Sequence, residues 1–233
     1  MARKKSNSGV LIPIGGAEKK GDVKSELSEF IEQGILTHVV KESGGKDARI
    51  LVFPTASKIP VEVGQNYLDA FSRLGCTNVE VLDLRLKKQS NEQRTLDLVQ
   101  EADCLMFSGG NQAHIASKIR GTKLHELIVD RLNNDGLVVA GTSAGAMAMA
   151  AEMIAGGKAS ESFVKGAVHM KRGLGLIPEL IIDTHFVRRG RFGRLAEAVA
   201  KFPNTLGLGL AEDTGLINRG KNEFTVIGSG MVV

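Results

Sequence analysis

Tryptophan does not occur in this chain of 233 residues, tyrosine occurs once, and aromatic residues make up only 4% of it. Single-stranded nucleic acid is held by stacking on several exposed rings. That class of partner is therefore disfavoured, and the net charge of +4 fits an anionic small ligand better. Cysteine is nearly as scarce, with Cys76 and Cys104 alone. Each starts or precedes an expected strand. Both read as small core residues in a reducing compartment, which excludes a disulfide framework. No apolar run approaches the ~20 residues of a membrane-spanning helix. The basic start, Met1 to Gly9, leads into an apolar stretch, Val10–Ile14, that is too short for a signal-peptide core. We expect a flexible basic tail over 1–9, a single α/β domain over 10–233, a cytoplasmic location, and neither a nucleic-acid nor a membrane partner.

What is present is a regular alternation of strand and helix signals. Apolar runs at Val10–Ile14, Arg49–Phe53, Asp103–Phe107 and Leu137–Ala140 read as strands, as does Asn78–Leu84. Helical spacing links them over Lys24–Val40, Pro60–Leu74, Gln93–Glu101, Ala113–Ile119 and Lys123–Asn133. This rhythm predicts a mostly parallel sheet covered by helices on both faces. Ligands of such sheets bind beyond the carboxyl ends of the strands. The loops after Ile14, Phe53, Phe107 and Gly141 all reach that edge. After Gly157 glycines and short apolar runs dominate, at Val164–Val168, Leu174–Ile177, Leu180–Asp183, Leu206–Leu210, Leu216–Ile217 and Phe224–Ile227. These predict shorter, antiparallel strands with one helix over Arg191–Lys201.

The segment Gly141-Thr142-Ser143-Ala144-Gly145 matches the nucleophile elbow G-x-S-x-G, with a strand before it and a small-residue helix after it. Glycines at both ends allow a sharp turn and close packing of the helix on the sheet. Ser143 is then a candidate nucleophile, and the Ala144 N–H a candidate oxyanion donor. The bland alternative is a serine that caps a helix. Ser108-Gly109-Gly110-Asn111-Gln112 is the candidate second half of the oxyanion hole, with Gly110 as donor and Asn111 as helix cap. A P-loop is disfavoured, because Gly16 to Asp22 lacks the Lys-Ser/Thr pair.

A serine needs a base, and the base an orienting acid. His38, His114, His125 and His169 read as structural or solvated. His185 ends the apolar run Leu180 to Phe186, and strand alternation puts Asp183 on its face. A metal reading of Asp183-x-His185 lacks a third ligand at sensible spacing. The acid is Glu212, Asp213 or Asp183, and spacing leaves that choice open. The chain order, serine then histidine, differs from the serine, acid, histidine order of α/β-hydrolases. Arg188, Arg189, Arg191 and Arg194 follow His185 and offer guanidinium groups for substrate carboxylates.

Six blocks, in order, carry a family resemblance: Ile14-Gly15-Gly16-Ala17-Glu18, Phe53 to Ser57, Phe107 to Gln112, Gly141 to Ala146, Asp183 to Leu195, and Gly209 to Thr214. Together they resemble the cyanophycinases, in a serine-peptidase family that also contains the α-aspartyl dipeptidases. The resemblance implies a fold like the class I glutamine amidotransferases. It implies Ser143 as nucleophile, His185 as base and Glu212 as orienting acid. It places Gln112, Asp183, Thr184, Arg189, Arg191 and Arg194 around the substrate. It also implies cyanophycin as substrate, β-Asp-Arg as product, no metal or cofactor, and a homodimer. Two features depart from the pattern. Thr184 stands where glutamine is common, and the chain ends soon after Gly228-Ser229-Gly230. Peptidases for other aspartyl or isoaspartyl dipeptides, and a non-catalytic binding protein, are the alternatives.

Overall fold

The structure is a computed structural model that describes residues 8–16, 34–157, 166–220 and 223–233. Residues 1–7 of the expected tail lie outside the described residues, as do 17–33, which hold most of the helix expected over Lys24–Val40. The same holds for residues 164 and 165 of the run expected over Val164–Val168. In chain order the first half contains β1 (Val10–Ile14), α1 (Ile35–Glu42), β2 (Ile50–Phe53), α2 (Pro60–Arg73), β3 (Val79–Val81) and a 3₁₀ turn (Lys87–Asn91). It continues with α3 (Gln93–Glu101), β4 (Cys104–Phe107), α4 (Gln112–Ile119), α5 (Lys123–Asn134), β5 (Val138–Thr142) and α6 (Ala144–Ala148). The second half adds β6 (Glu152–Gly156), β7 (His169–Arg172), β8 (Leu180–Thr184), α7 (Phe192–Lys201), β9 (Leu206–Leu210), β10 (Thr214–Asn218) and β11 (Phe224–Gly228).

The main sheet has seven strands in the order β3-β2-β4-β5-β1-β10-β11. The first five are parallel, and β10 and β11 extend the sheet antiparallel. Its central strands are unbroken apolar runs because both faces are covered. Leu51, Phe53, Leu105, Phe107 and Val139 point into one core, completed by Ile115 and Ile119 of α4 and Leu124 and Ile128 of α5. Ile50, Val52, Cys104, Met106, Val138 and Ala140 point into the other, against Ile35 and Val39 of α1 and Tyr67 and Phe71 of α2. Cys76 and Cys104 are buried, unpaired core residues, and burial pushes the Cys104 thiol up to about 12. Helix starts follow local chemistry. Asn111 Oδ1 accepts the Ala113 N–H at 2.9 Å, Thr122 Oγ1 accepts that of His125 at 3.3 Å, and Pro60 opens α2.

The second half is antiparallel as expected at β6–β7 and β10–β11 and departs from that pattern at one pair. Strands β8 and β9 pair in parallel, with α7 as the crossover between them. Strands β6 and β7 form a separate antiparallel pair. Leu174–Ile177 forms no strand and contributes only a bridge from Ile177 to Ala150. His169 opens β7 instead of lying in a loop. His125 is not simply solvated, because its Nε2 hydrogen-bonds the Leu174 carbonyl at 2.7 Å. Among the described residues no helix is long and apolar enough to cross a membrane.

Candidate active site

Parallel strands β1 and β5 end side by side, and the site is built where they end. Among the described residues three non-glycine residues have left-handed backbone: Ser143 at φ 50°, His185 at φ 50° and Asp213 at φ 46°. Such conformations cost roughly 1–3 kcal/mol each and persist only where surroundings enforce them. Here one loop anchors all three. The Ser143 N–H donates to the Ile14 carbonyl at 2.8 Å, the His185 N–H to Gly15 at 2.9 Å, and the Asp213 N–H to Gly16 at 3.0 Å. Three successive carbonyls thus fix three distant turns.

Ser143 sits between β5 and α6 with φ 50° and ψ −106°. The flanking glycines are required by packing. A Cβ on Gly141 would lie 2.6 Å from the Gly145 carbonyl carbon, and one on Gly145 would strike the Phe107 carbonyl. Gly109 packs against the serine, its missing Cβ position 3.5 Å from Ser143 Cβ. Gly110, at φ 139°, is pressed onto the Ala56 carbonyl, which also accepts the Asn111 N–H at 2.9 Å. The loop after β2 therefore supports the loop after β4. Ala144 opens α6, where first-turn amides have no intrahelical acceptor.

His185 has left the strand, since β8 ends at Thr184. Alternation therefore does not pair it with Asp183. Its Nδ1 donates to Glu212 Oε1 at 3.0 Å, and both side chains are mostly covered. A carboxylate only accepts, so the proton lies on Nδ1 and leaves Nε2 as the basic nitrogen. Gly16 makes room for that edge of the ring, because a Cβ there would lie 2.5 Å from both Cε1 and Nε2. Burial pulls the imidazole below its usual pKa, and Arg189 and Arg191 add to this while Glu212 opposes it. No hydrogen bond joins the Ser143 hydroxyl to His185 among the described residues; such contacts are often loose before substrate binds.

Asp183, wholly buried, accepts Arg194 Nε at 2.8 Å on Oδ2, while Oδ1 takes Arg194 Nη2, Arg191 Nη1 at 3.1 Å and the Thr184 N–H at 2.8 Å. Arg191 also reaches the Thr184 carbonyl at 2.5 Å, and Arg194 the Gly157 carbonyl at 3.1 Å. The Thr184 hydroxyl is buried without a partner among the described residues. Arg189 is exposed beside the histidine and makes no side-chain hydrogen bond among the described residues. Gln112 opens α4 and donates to the Ile154 carbonyl at 2.6 Å. Asp213 accepts the Ser229 hydroxyl on Oδ2 at 2.6 Å. Among the described residues no group of three or more His, Cys, Asp or Glu is placed to hold a metal ion.

The anchoring carbonyls and Ser229 are the parts that the sequence reading did not assign. The glycine pair after the first strand and the Gly-Ser-Gly near the end were the signals available. The arrangement suits acyl transfer: a serine at positive φ, an imidazole bonded to a carboxylate, and a glycine loop packed against the serine.

Comparison with known proteins agrees. The profile of Peptidase family S51 matches residues 24–226. A protein named cyanophycinase from Geminocystis herdmanii (strain PCC 6308) is 37% identical over 225 residues, covering 97% of this chain and 79% of that one. Another, from Trichormus variabilis (strain ATCC 29413 / PCC 7937), is 36% identical over 222 residues, covering 95% and 72%. Among solved structures, a peptidase from an acI-B1 Actinobacterium superposes with a TM-score of 0.71 at 22% identity, covering 97% of this chain and 89% of that one. A putative peptidase E from Listeria monocytogenes EGD-e does so with 0.62 at 17% identity, covering 95% and 99%. These last two likenesses speak to the fold alone.

Proposed function

This chain belongs to peptidase family S51 and is a serine-type peptidase, and we propose that it hydrolyses cyanophycin, releasing β-Asp-Arg dipeptides. Ser143 Oγ attacks the aspartyl carbonyl while His185 Nε2 takes its proton. Glu212 holds the ring and stabilises the imidazolium. The N–H groups of Gly110 and Ala144 receive the oxyanion, each such donor being commonly worth about a hundred- to a thousandfold in rate. His185 returns the proton to the leaving amine. Water, activated by the same imidazole, then cleaves the acyl-enzyme and frees Ser143. No metal or cofactor takes part.

The observation that carries this proposal is the 3.0 Å bond from His185 to Glu212, held by the loop that also fixes Ser143. Substrate binding falls to Gln112, Asp183, Thr184, Arg189, Arg191 and Arg194. Their exposures suggest unequal parts. Arg189 is open to a substrate carboxylate, whereas Asp183 acts through the two arginines it orients. The proposed assembly is a cytoplasmic homodimer of one catalytic domain over 10–233.

Incubation of the protein and its Ser143→Ala variant with cyanophycin, with products read by mass spectrometry, tests the proposal. Dipeptide from the unmodified protein alone is expected; equal release by both ends it. Thr184, where glutamine is common, favours a second reading in which other aspartyl or isoaspartyl peptides are the substrates. A panel of α- and β-linked dipeptides separates the two.

A further inference from the structure

The acid of the proposed triad lies at the junction of β9 and β10, and a second piece of chain is laced onto that junction. The Ala211 N–H donates to the Met231 carbonyl at 3.0 Å, and Gly209 and Val233 exchange bonds at 2.7 and 2.9 Å. Residues 231–233 therefore run antiparallel beside the end of β9, with Val232 bridged to Leu210. Gly228-Ser229-Gly230 joins the end of β11 to this segment. Its fit to the acid turn is close. The Ser229 N–H donates to the Asp213 carbonyl at 2.8 Å, and the Ser229 hydroxyl to Asp213 Oδ2 at 2.6 Å. A Cβ on Gly228 would strike the Asp213 carbonyl, and one on Gly230 would lie 2.7 Å from the Glu212 carbonyl and closer still to Thr214 Oγ1. Thr214 Oγ1 itself donates to the Glu212 carbonyl at 2.9 Å.

Asp213 is thus held from both sides, by Gly16 through its N–H and by Ser229 through its carbonyl and carboxylate. It is also one of the three left-handed residues. A backbone in that region relaxes unless it is clamped. Relaxation at Asp213 rotates the peptide that joins it to Glu212, and so moves the carboxylate that faces His185 Nδ1. We propose that Ser229, acting through Asp213, is a positioning residue for the His185–Glu212 couple. The inference rests on the triad reading above. Neither residue touches the reacting atoms; each keeps the acid in register.

A purely structural clasp and a positioning clasp differ in what they change. Loss of a clasp that only stabilises lowers the melting temperature and leaves kcat and its pH profile alone. Loss of a positioning clasp lowers kcat with KM held, because the ground-state contacts to substrate remain. It also shifts the acid limb of kcat/KM. The charged groups facing the imidazole are Glu212, Arg189 and Arg191, and of these only Glu212 favours its protonated form. A slackened Glu212 therefore moves the limb to lower pH.

Ser229→Ala is expected to reduce kcat on cyanophycin by about five- to tenfold, the range of one hydrogen bond. KM should stay within about twofold, with the limb moved to lower pH. Ser229→Thr, which keeps the hydroxyl, should recover most of the loss. Should Ser229→Ala fail to fold, Asp213→Asn tolerates the left-handed turn and weakens the same bond, and must show the same pattern. Kinetics and pH profile like those of the unmodified protein, beside an inactive Ser143→Ala, overturn this inference alone. A Ser143→Ala as active as the unmodified protein overturns the triad, and the inference with it.

Discussion

Ser143 and His185 hang from neighbouring carbonyls: the serine N–H bonds Ile14 at 2.8 Å and the histidine N–H bonds Gly15 at 2.9 Å. The two residues are 42 apart in the chain, yet their backbones are fixed to one dipeptide. Main-chain bonds therefore fix the two backbones relative to one another.

Replacing Gly16 tests that relation. A Cβ would intrude 2.5 Å from the basic nitrogen of the imidazole, on a backbone at φ 107° that suits glycine. Gly16→Ala should lower kcat by about a hundredfold or more, because a displacement of about 1 Å is enough for such a loss. Steady-state kinetics with circular dichroism as the fold control checks this.

Ser143 pays for its position in stability. Ser143→Gly relieves the φ 50° conformation and should raise unfolding free energy by about 1 kcal/mol while abolishing hydrolysis. Urea denaturation of both proteins gives the difference. Ser143→Ala keeps the strain and should not gain.

The pH profile should carry the mark of the arginines. In the proposed mechanism the imidazole acts as base only when neutral, and burial with Arg189 and Arg191 holds its pKa below the usual value. Activity should therefore fall on acidification at a midpoint below about 6.5. Arg189→Ala removes a charge that disfavours protonation, so the midpoint should rise. KM should rise as well, and a pH series of kcat/KM reads both.

Asp183 is wholly buried and binds Arg194, whose side chain is 7% exposed. Asp183→Ala leaves that guanidinium without its counter-charge and should cost about 3–5 kcal/mol. Thermal unfolding reports the loss. Arg189→Ala, at an exposed position, should cost about 0.5 kcal/mol or less.

The parallel half was legible because β1, β2, β4 and β5 are apolar runs ended by glycine, proline or serine, whereas β3, Val-Glu-Val, is shorter than the strand expected over Asn78–Leu84. Ile50 to Phe53 and Cys104 to Phe107 show this plainly. The elbow was legible because Gly141 and Gly145 are forced by backbone contact. The parallel pairing of β8 with β9 was not, since short apolar runs after glycines carry no sign of direction. Asp183 looked like a neighbour of His185 because alternation assumes that the strand continues. The left-handed turn at His185 breaks it, and no local residue signals that turn. The carbonyls of Ile14, Gly15 and Gly16 have no side-chain signature at all.

The parallel pair β8–β9 delivers the imidazole and its acid from adjacent strand ends, as Thr184 opposite Leu210 in the register indicates. Their spacing is inherited from a ladder whose rungs are about 4.8 Å apart in any sheet. The stretch between them, with Arg189, Arg191 and α7, lies outside that ladder and acts on the imidazole through charge and through its hold on Thr184. Substitutions there leave the ladder itself intact.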